Sequence, residues 1–295
     1  MIELAPEVSE ALAQGRAVVA LETTLVAHGF PAGEGLDVAL EAERRVRAGG
    51  AVPATVGVIE GVVRVGLSAS ELERFADAGD EARKAGPRDL AARAAQGILG
   101  ATTVGGTLAV CSAAGIRFVG TGGIGGVHRG FAARPDISAD LGALARSPAL
   151  VVSSGAKSLL DVDATLEVLE SLGVPVLGWR TETLPLFYSA AGGPAVPIRV
   201  DDAAEAAGIA RSHWELGLGG LLVAQPPAES LEVEPLLAEA LADAGEAGIT
   251  GQALTPFVLA RLHERSGGAT VRVNKRLIAD NAALAAEIAV AYAAG

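Results

Sequence analysis

The chain has 295 residues, half of them apolar, enough to bury a substantial core as one domain over residues 1–295. Its 23 basic and 35 acidic residues leave a net charge of -12, which excludes a general nucleic-acid surface but leaves room for a discrete anion pocket. A single cysteine, Cys111, excludes an internal disulfide; the start MIELAPEVSEALAQG lacks the basic and apolar regions of a leader, and no apolar run reads as a span, so a cytoplasmic protein with no membrane partner is expected.

Aromatic residues supply only 3%, so the core must be Val, Leu, Ile and Ala, which suits strands sandwiched between helices. In chain order, AVVALET reads as a strand and residues 34–48 as a helix. PATVGVIEGVVRVGL reads as two strands turning at Glu60 and Gly61, so the sheet is expected to be mixed rather than wholly parallel. A helix over 70–82 follows, then RKAGPRDLA with Lys84 and Arg88 near a proline turn, then the turn GATTVGG leading into an apolar helix that carries Cys111. GIRFVGTGG is a strand ending in glycines, and anything helical after it begins at Ser138. ALVVSSG is a buried strand, with helical periodicity from Ser158 through Leu159, Val162, Leu166 and Leu169. VPVLGWR, a helix over 202–216, the strand GGLLVAQPP and helices over 229–247 and 275–293 complete an α/β chain without an internal repeat or linker.

Chemistry-bearing residues gather where strands end, which is where open α/β sheets bind ligands. Lys157, in the turn after ALVVSSG, is either a solvated charge or a desolvated amine able to act as a nucleophile or Schiff-base former. Glu22, after VVAL, is either a structural carboxylate or a general acid or base. Thr102, Thr103 and the amides from Val104 to Gly106 form an anion site or an ordinary glycine turn, with Lys84 and Arg88 as neutralising or merely solvated charges. Gly120, Gly122 and Gly125 fit G-x-G-x-x-G, but VHRGFAARPD opens into no helix, which argues against a dinucleotide site and for close passage of the main chain past a ligand. His128 in that loop suits a metal ligand, a proton carrier or a hydrogen-bonded loop histidine. Asp136 and Asp140 bracket Ser138, where a helix cap and a one-carboxylate Mg²⁺ or Mn²⁺ site are both open. No zinc-type Cys/His cluster, G-x-x-x-x-G-K-[ST] or G-x-S-x-G is present.

Taken in order, ALETTLVAHGFP, GATTVGGT, TGGIGGVHRG, DISADL, SGAKSLLD and the late TPF and VN resemble the pseudouridine-5'-phosphate glycosidase family, also called the indigoidine synthase A-like family, from about Glu10 to Ala291. The resemblance implies a three-layer α/β/α sandwich around a mixed, largely parallel sheet, and a homotrimer. It implies reversible cleavage of the C-glycosidic bond of pseudouridine 5'-phosphate to uracil and ribose 5-phosphate, with one Mn²⁺ or a similar divalent ion per subunit. By motif, Lys157 falls on the nucleophile, Glu22 on the proton donor and Asp136 on the metal ligand. Lys84, Val104, Ser138, Ala139 and Asp140 fall on substrate-binding positions, and Thr121 and His128 on the active-site glycine loop. In the expected mechanism Lys157 attacks C1' of the sugar, Asp140 handles the ring oxygen or uracil protons, and Lys84 with the Thr103–Gly105 backbone holds the 5'-phosphate.

The chain departs from the family pattern at Gly86 and Pro87, after the serine of LPLFYSAAGG at Ala190, at Ala224 and Gln225, and at Asp280. Those changes bear on phosphate or base selectivity. Two rivals follow: lysine-dependent C-glycosidase or lyase chemistry on another phosphorylated sugar or C-nucleoside, and a sugar-phosphate binding protein with no use for Lys157.

Overall fold

A computed structural model of the chain describes residues 2–31, 33–132 and 135–295. Its strands are β1 (Ile2–Leu4), β2 (Val18–Glu22), β3 (Val52–Ile59), β4 (Val62–Val65), β5 (Arg83–Ala85), β6 (Gly100–Thr102), β7 (Phe118–Gly120), β8 (Val127–His128), β9 (Leu150–Ser153), β10 (Leu160–Asp161), β11 (Val176–Trp179), β12 (Ile198–Val200) and β13 (Leu221–Ala224). Its helices are α1 (Pro6–Ala13), α2 (Thr24–His28), α3 (Gly35–Ala48), α4 (Ala69–Asp77), α5 (Leu90–Ala95), α6 (Val104–Ala114), α7 (Ala139–Arg146), α8 (Val162–Ser171), α9 (Ala203–Glu215), α10 (Glu234–Glu246), α11 (Leu254–Arg265) and α12 (Ala269–Ala294).

The central strands β2, β3, β7, β9, β13 and β11 are almost pure Val, Leu, Ile, Ala and Gly, and every residue of them is buried. Strands that read as continuous apolar runs are covered on both faces, which requires helical layers above and below. The main sheet runs β1-β4-β3-β2-β7-β9-β13-β11-β12, with β6 on β3 and β5 on β6. Only β4 and β6 pair antiparallel with their neighbour β3, so the sheet is mixed and largely parallel as expected. The hairpin turns on Glu60 and Gly61, at φ of 51° and 84°, the two left-handed positions of a tight turn. On one side α12 packs against β2, β7 and β9 and against α3 and α9; α6 packs against β2 and β3 with α7 beside it.

Several expectations shift. No helix starts at Ser158: Leu160 and Asp161 pair instead with Val127 and His128, and α8 begins at Val162 with the Asp161 carboxylate accepting the Ala164 amide. Lys157 therefore sits in a loop, not in a helical first turn. The helix over 70–82 ends at Asp77, because Arg83–Ala85 are drawn into an edge strand beside β6. α10 starts at Glu234, and α12 reaches back to Ala269. α11 has no counterpart among the predicted elements, since Pro256 in its opening turn masks its periodicity. An apolar segment of membrane-spanning length does exist: α12 has 26 residues. Its stretch of mean hydropathy 1.4 is 56% buried, and sheet, α3 and α9 cover it.

Candidate active site

Register brings the polar residues together. Leu21 pairs with Gly120, and Gly120 with Val152, so Glu22, Thr121 and Ser153 leave three adjacent parallel strands at one level. Above that edge lies a cavity of about 500 Å³. Its walls include Glu22, Lys84, Thr103, Thr121, His128, Asp136, Ser138, Ala139, Asp140 and Lys157. Val104 is the exception: its side chain is 1% exposed and packs in the core, so any ligand contact there falls to the backbone.

Glu22 is 4% exposed, and its Oε1 accepts a short hydrogen bond from the Thr121 hydroxyl. Burial raises its carboxyl above the ordinary value, and Asp140 adds to the rise; Lys157, the Thr121 hydroxyl and Lys84 pull the other way. Desolvation wins, so the site holds a carboxyl poised to carry a proton.

Lys157 is half-buried. Its turn is possible because Gly155, at φ 83°, passes so near Pro185 that a Cβ would lie 2.2 Å from the proline carbonyl oxygen. The Lys157 amide donates to the Ile124 carbonyl, tying the turn to the glycine loop. Asn281 of α12, fully buried, braces both arms: its amide donates to the Thr121 carbonyl at 2.8 Å and to Ser154 Oγ at 3.1 Å.

Asp140 is equally committed. Its Oδ1 accepts the Gly105 amide at 2.7 Å and its Oδ2 the Gly125 amide at 2.9 Å, so one carboxylate joins α6, the glycine loop and α7. A Cβ on Gly125 would stand 2.2 Å from Ser138 Oγ, which explains the glycine. Ser138 is the plain cap of α7, accepting the Asp140 amide. The loop then runs into β8 and not a helix, which removes the dinucleotide reading structurally as well.

The expected phosphate cradle needs correction. The Gly105 amide is taken by Asp140 and the Gly106 amide by Thr103 Oγ1, the cap of α6, so the Thr103–Gly105 turn offers fewer donors than its sequence suggests. Lys84 stands beside it, its ammonium lowered to about 8 by burial and by Lys157. Gly86, Pro87, Arg88 and Asp89 share that wall, so the first departure from the family pattern does border the site. Asp280 does not line the cavity; it pairs with Arg276 at 2.7 Å. Cys111 is buried with its thiol pushed up to about 12 by desolvation, a packed hydrophobe.

Among the described residues no group of three or more His, Cys, Asp or Glu side chains could cage a metal. Asp136 is half-buried on the cavity wall, and its carbonyl accepts the His128 amide. Its lone hard carboxylate fits a largely hydrated Mg²⁺ or Mn²⁺ ion and no softer metal.

Four further residues escaped the sequence reading. Asn274 is 4% exposed on the cavity wall, with its Oδ1 unpaired, a buried acceptor suited to a ligand N–H. The VN dipeptide was the signal. Phe187 lines the cavity at φ 63°, a strained conformation for an aromatic residue that sequence cannot show. Asn281 looked like an ordinary polar position on a helix. His28 was visible only as part of the AHGFP motif, and now stands near Lys84 on the cavity wall.

Comparison with known proteins places this geometry among relatives. The family model for indigoidine synthase A-like proteins matches residues 7–291. A protein from Herpetosiphon aurantiacus named pseudouridine-5'-phosphate glycosidase is 48% identical over 98% of this chain and 97% of its own. One of the same name from Paracoccus denitrificans is 48% identical over 99% of each chain. Among solved structures, the prealnumycin C-glycosynthase AlnA in complex with ribulose 5-phosphate superposes with a TM-score of 0.91 at 40% identity, over 100% of this chain and 97% of that one. An indigoidine synthase A-like protein from Thermotoga maritima gives 0.88 at 38% identity, over 98% and 96%.

Proposed function

The chain belongs to the indigoidine synthase A-like family, and on that premise we propose that it is a pseudouridine-5'-phosphate glycosidase, cleaving the C1'–C5 bond reversibly to uracil and ribose 5-phosphate. The observation that carries this reading is the meeting of the buried Glu22 carboxyl, its proton affinity raised by desolvation, with Lys157 and Lys84 in one cavity. Names of relatives at 48% identity support the substrate.

An ordinary glycosidase protonates a leaving heteroatom, whereas carbon leaves poorly. The neutral Lys157 Nζ therefore bonds to C1' as the C1'–O4' bond breaks, and the proton that Nζ then loses passes to O4', leaving a secondary amine with a lone pair. Glu22 then protonates uracil at C5. The nitrogen lone pair forms a C1'=N iminium while the C1'–C5 electrons return to the uracil ring, and water releases ribose 5-phosphate and the free amine. Asp140, its two oxygens already receiving amides, chiefly holds the loops, and its remaining lone pairs can relay the proton lost by Nζ to the ring oxygen. His128 is available for proton traffic at the rim, and Thr121 orients Glu22. Lys84 and Thr103 face the phosphate side; Ser138, Ala139 and Asn274 border the rest of the ligand.

Asp136 would hold one Mn²⁺ through a single carboxylate; when bound, the ion supplies positive charge that orders the base side of the cavity. A cytoplasmic homotrimer belongs to the same reading, and light scattering tests the subunit count. Incubation with uracil, ribose 5-phosphate and Mn²⁺ should accumulate pseudouridine 5'-phosphate, and borohydride with ribose 5-phosphate alone should leave a reduced adduct on Lys157. Absence of both returns the pocket to a sugar-phosphate binding role. An adduct without the nucleotide product favours C–C chemistry on another acceptor, a reading that the resemblance to a C-glycosynthase supports.

A further inference from the structure

Backbone donors are scarce at the phosphate end of the cavity. The Gly105 and Gly106 amides are taken internally, and the Gly86 amide donates to the Asp89 carboxylate at 3.3 Å. Beyond the Val104 backbone, a phosphomonoester entering beside Lys84 therefore draws on side-chain donors. His28, the last residue of α2, lines the same cavity, and one ring nitrogen is committed to the carbonyl of Ala82, two residues before Lys84. The other ring nitrogen is an acceptor while the ring is neutral and becomes a donor only on protonation. Resting on the sugar-phosphate reading above, we infer that His28 is a second phosphate ligand beside Lys84, and that it takes up a proton as a phosphomonoester dianion enters.

Burial, then the Lys84 ammonium, hold the empty-site imidazole below its ordinary value, so the ring starts neutral. Arg83 opposes its protonation and Asp80 favours it. Arg88 and Asp89 line the same cavity, and the His263 ring reaches the carbonyl of the adjacent Gly29. α3 and α4 meet α2 through Leu36, Ala39, Leu72 and Phe75, and β6 through the Ala101 carbonyl, so those elements place apolar and backbone groups there. A bound dianion outweighs this balance and raises the ring's proton affinity.

Ribitol 5-phosphate carries the monoester but no carbonyl, so its binding needs no covalent chemistry. Calorimetry near pH 7, in buffers of differing ionisation enthalpy, should show proton uptake by the wild type that is largely lost in His28→Gln, whose amide can still bond the Ala82 carbonyl. The variant's Kd should rise about 10-fold near pH 6.5 and converge with the wild type by about pH 9, while unphosphorylated ribitol binds both alike. Undiminished uptake in the variant overturns the assignment, as does an affinity loss equal at all pH values or equal for ribitol. A wild type that does not bind ribitol 5-phosphate at all removes the sugar-phosphate reading with it.

Discussion

β7 is only three residues long, yet its two ends are built on opposite principles. At the amino end, Phe118 packs edge-on against Trp214 and Tyr292, at ring distances of 5.9 and 5.4 Å, and the Arg117 guanidinium lies 5.0 Å from the Trp214 ring. At the carboxyl end, Gly120 and Gly122 remove side chains altogether, and Thr121 holds a buried carboxyl. The first end gains stability from area and shape. The second gives it up: a desolvated Glu22, a strained Phe187 and an unpaired Asn274 are each unfavourable without a ligand. One strand thus separates the part that holds the fold from the part that performs the chemistry.

Substitutions on the two sides should separate activity from stability. The largest effect belongs to Lys157→Ala, expected to lower kcat at least ~10³-fold with melting temperature nearly unchanged and no borohydride adduct. Turnover and trapping assays check it. Glu22→Gln should cost ~10²–10⁴-fold in kcat, because the buried position is kept while the proton is lost. Gly125→Ala drives a methyl into Ser138 and the Asp140 carboxylate and leaves Lys157 and Glu22 untouched; a ~10²-fold loss of kcat measured on folded protein would show how tightly the loop and Asp140 must be placed.

pH sharpens the contrast further. Glu22 donates only when protonated, so forward kcat should be present below its raised value and fall as pH rises through it. Lys84 is a cation below about 8, so KM for the phosphorylated substrate should climb as pH passes that value while its dephosphorylated analogue shows no such rise. The smallest effect on activity belongs to the amino end: Phe118→Leu should cost ~1–3 kcal/mol by denaturant unfolding and leave kcat within about twofold.

The order of apolar runs was enough for the layered fold, the mixed sheet and the hairpin at Glu60–Gly61, because burial on both faces leaves a period that any reader of the chain can see. Boundaries failed where a tertiary partner took over a segment. Residues after Lys157 have a helical pattern yet pair with β8, and the helix expected to run to 82 stops at Asp77 ahead of Arg83–Ala85, which join β6. α12 read as a helix over 275–293 but starts at Ala269, because where it begins is decided by what covers it.

Glu22 and Lys157 were legible from strand-end position alone, since a charge placed after a buried strand must either be paired or be used. Their proximity was not. It arises from register between β2, β7 and β9, from Asn281 reaching out of a helix 127 residues beyond Ser154, and from Asp140 taking the Gly105 amide that the sequence had assigned to a phosphate. Residue types and their order along the chain thus determined which groups exist and on which side of the sheet they emerge. Which nitrogen meets which oxygen depends on distances between segments far apart in the chain, and only the folded packing decides those.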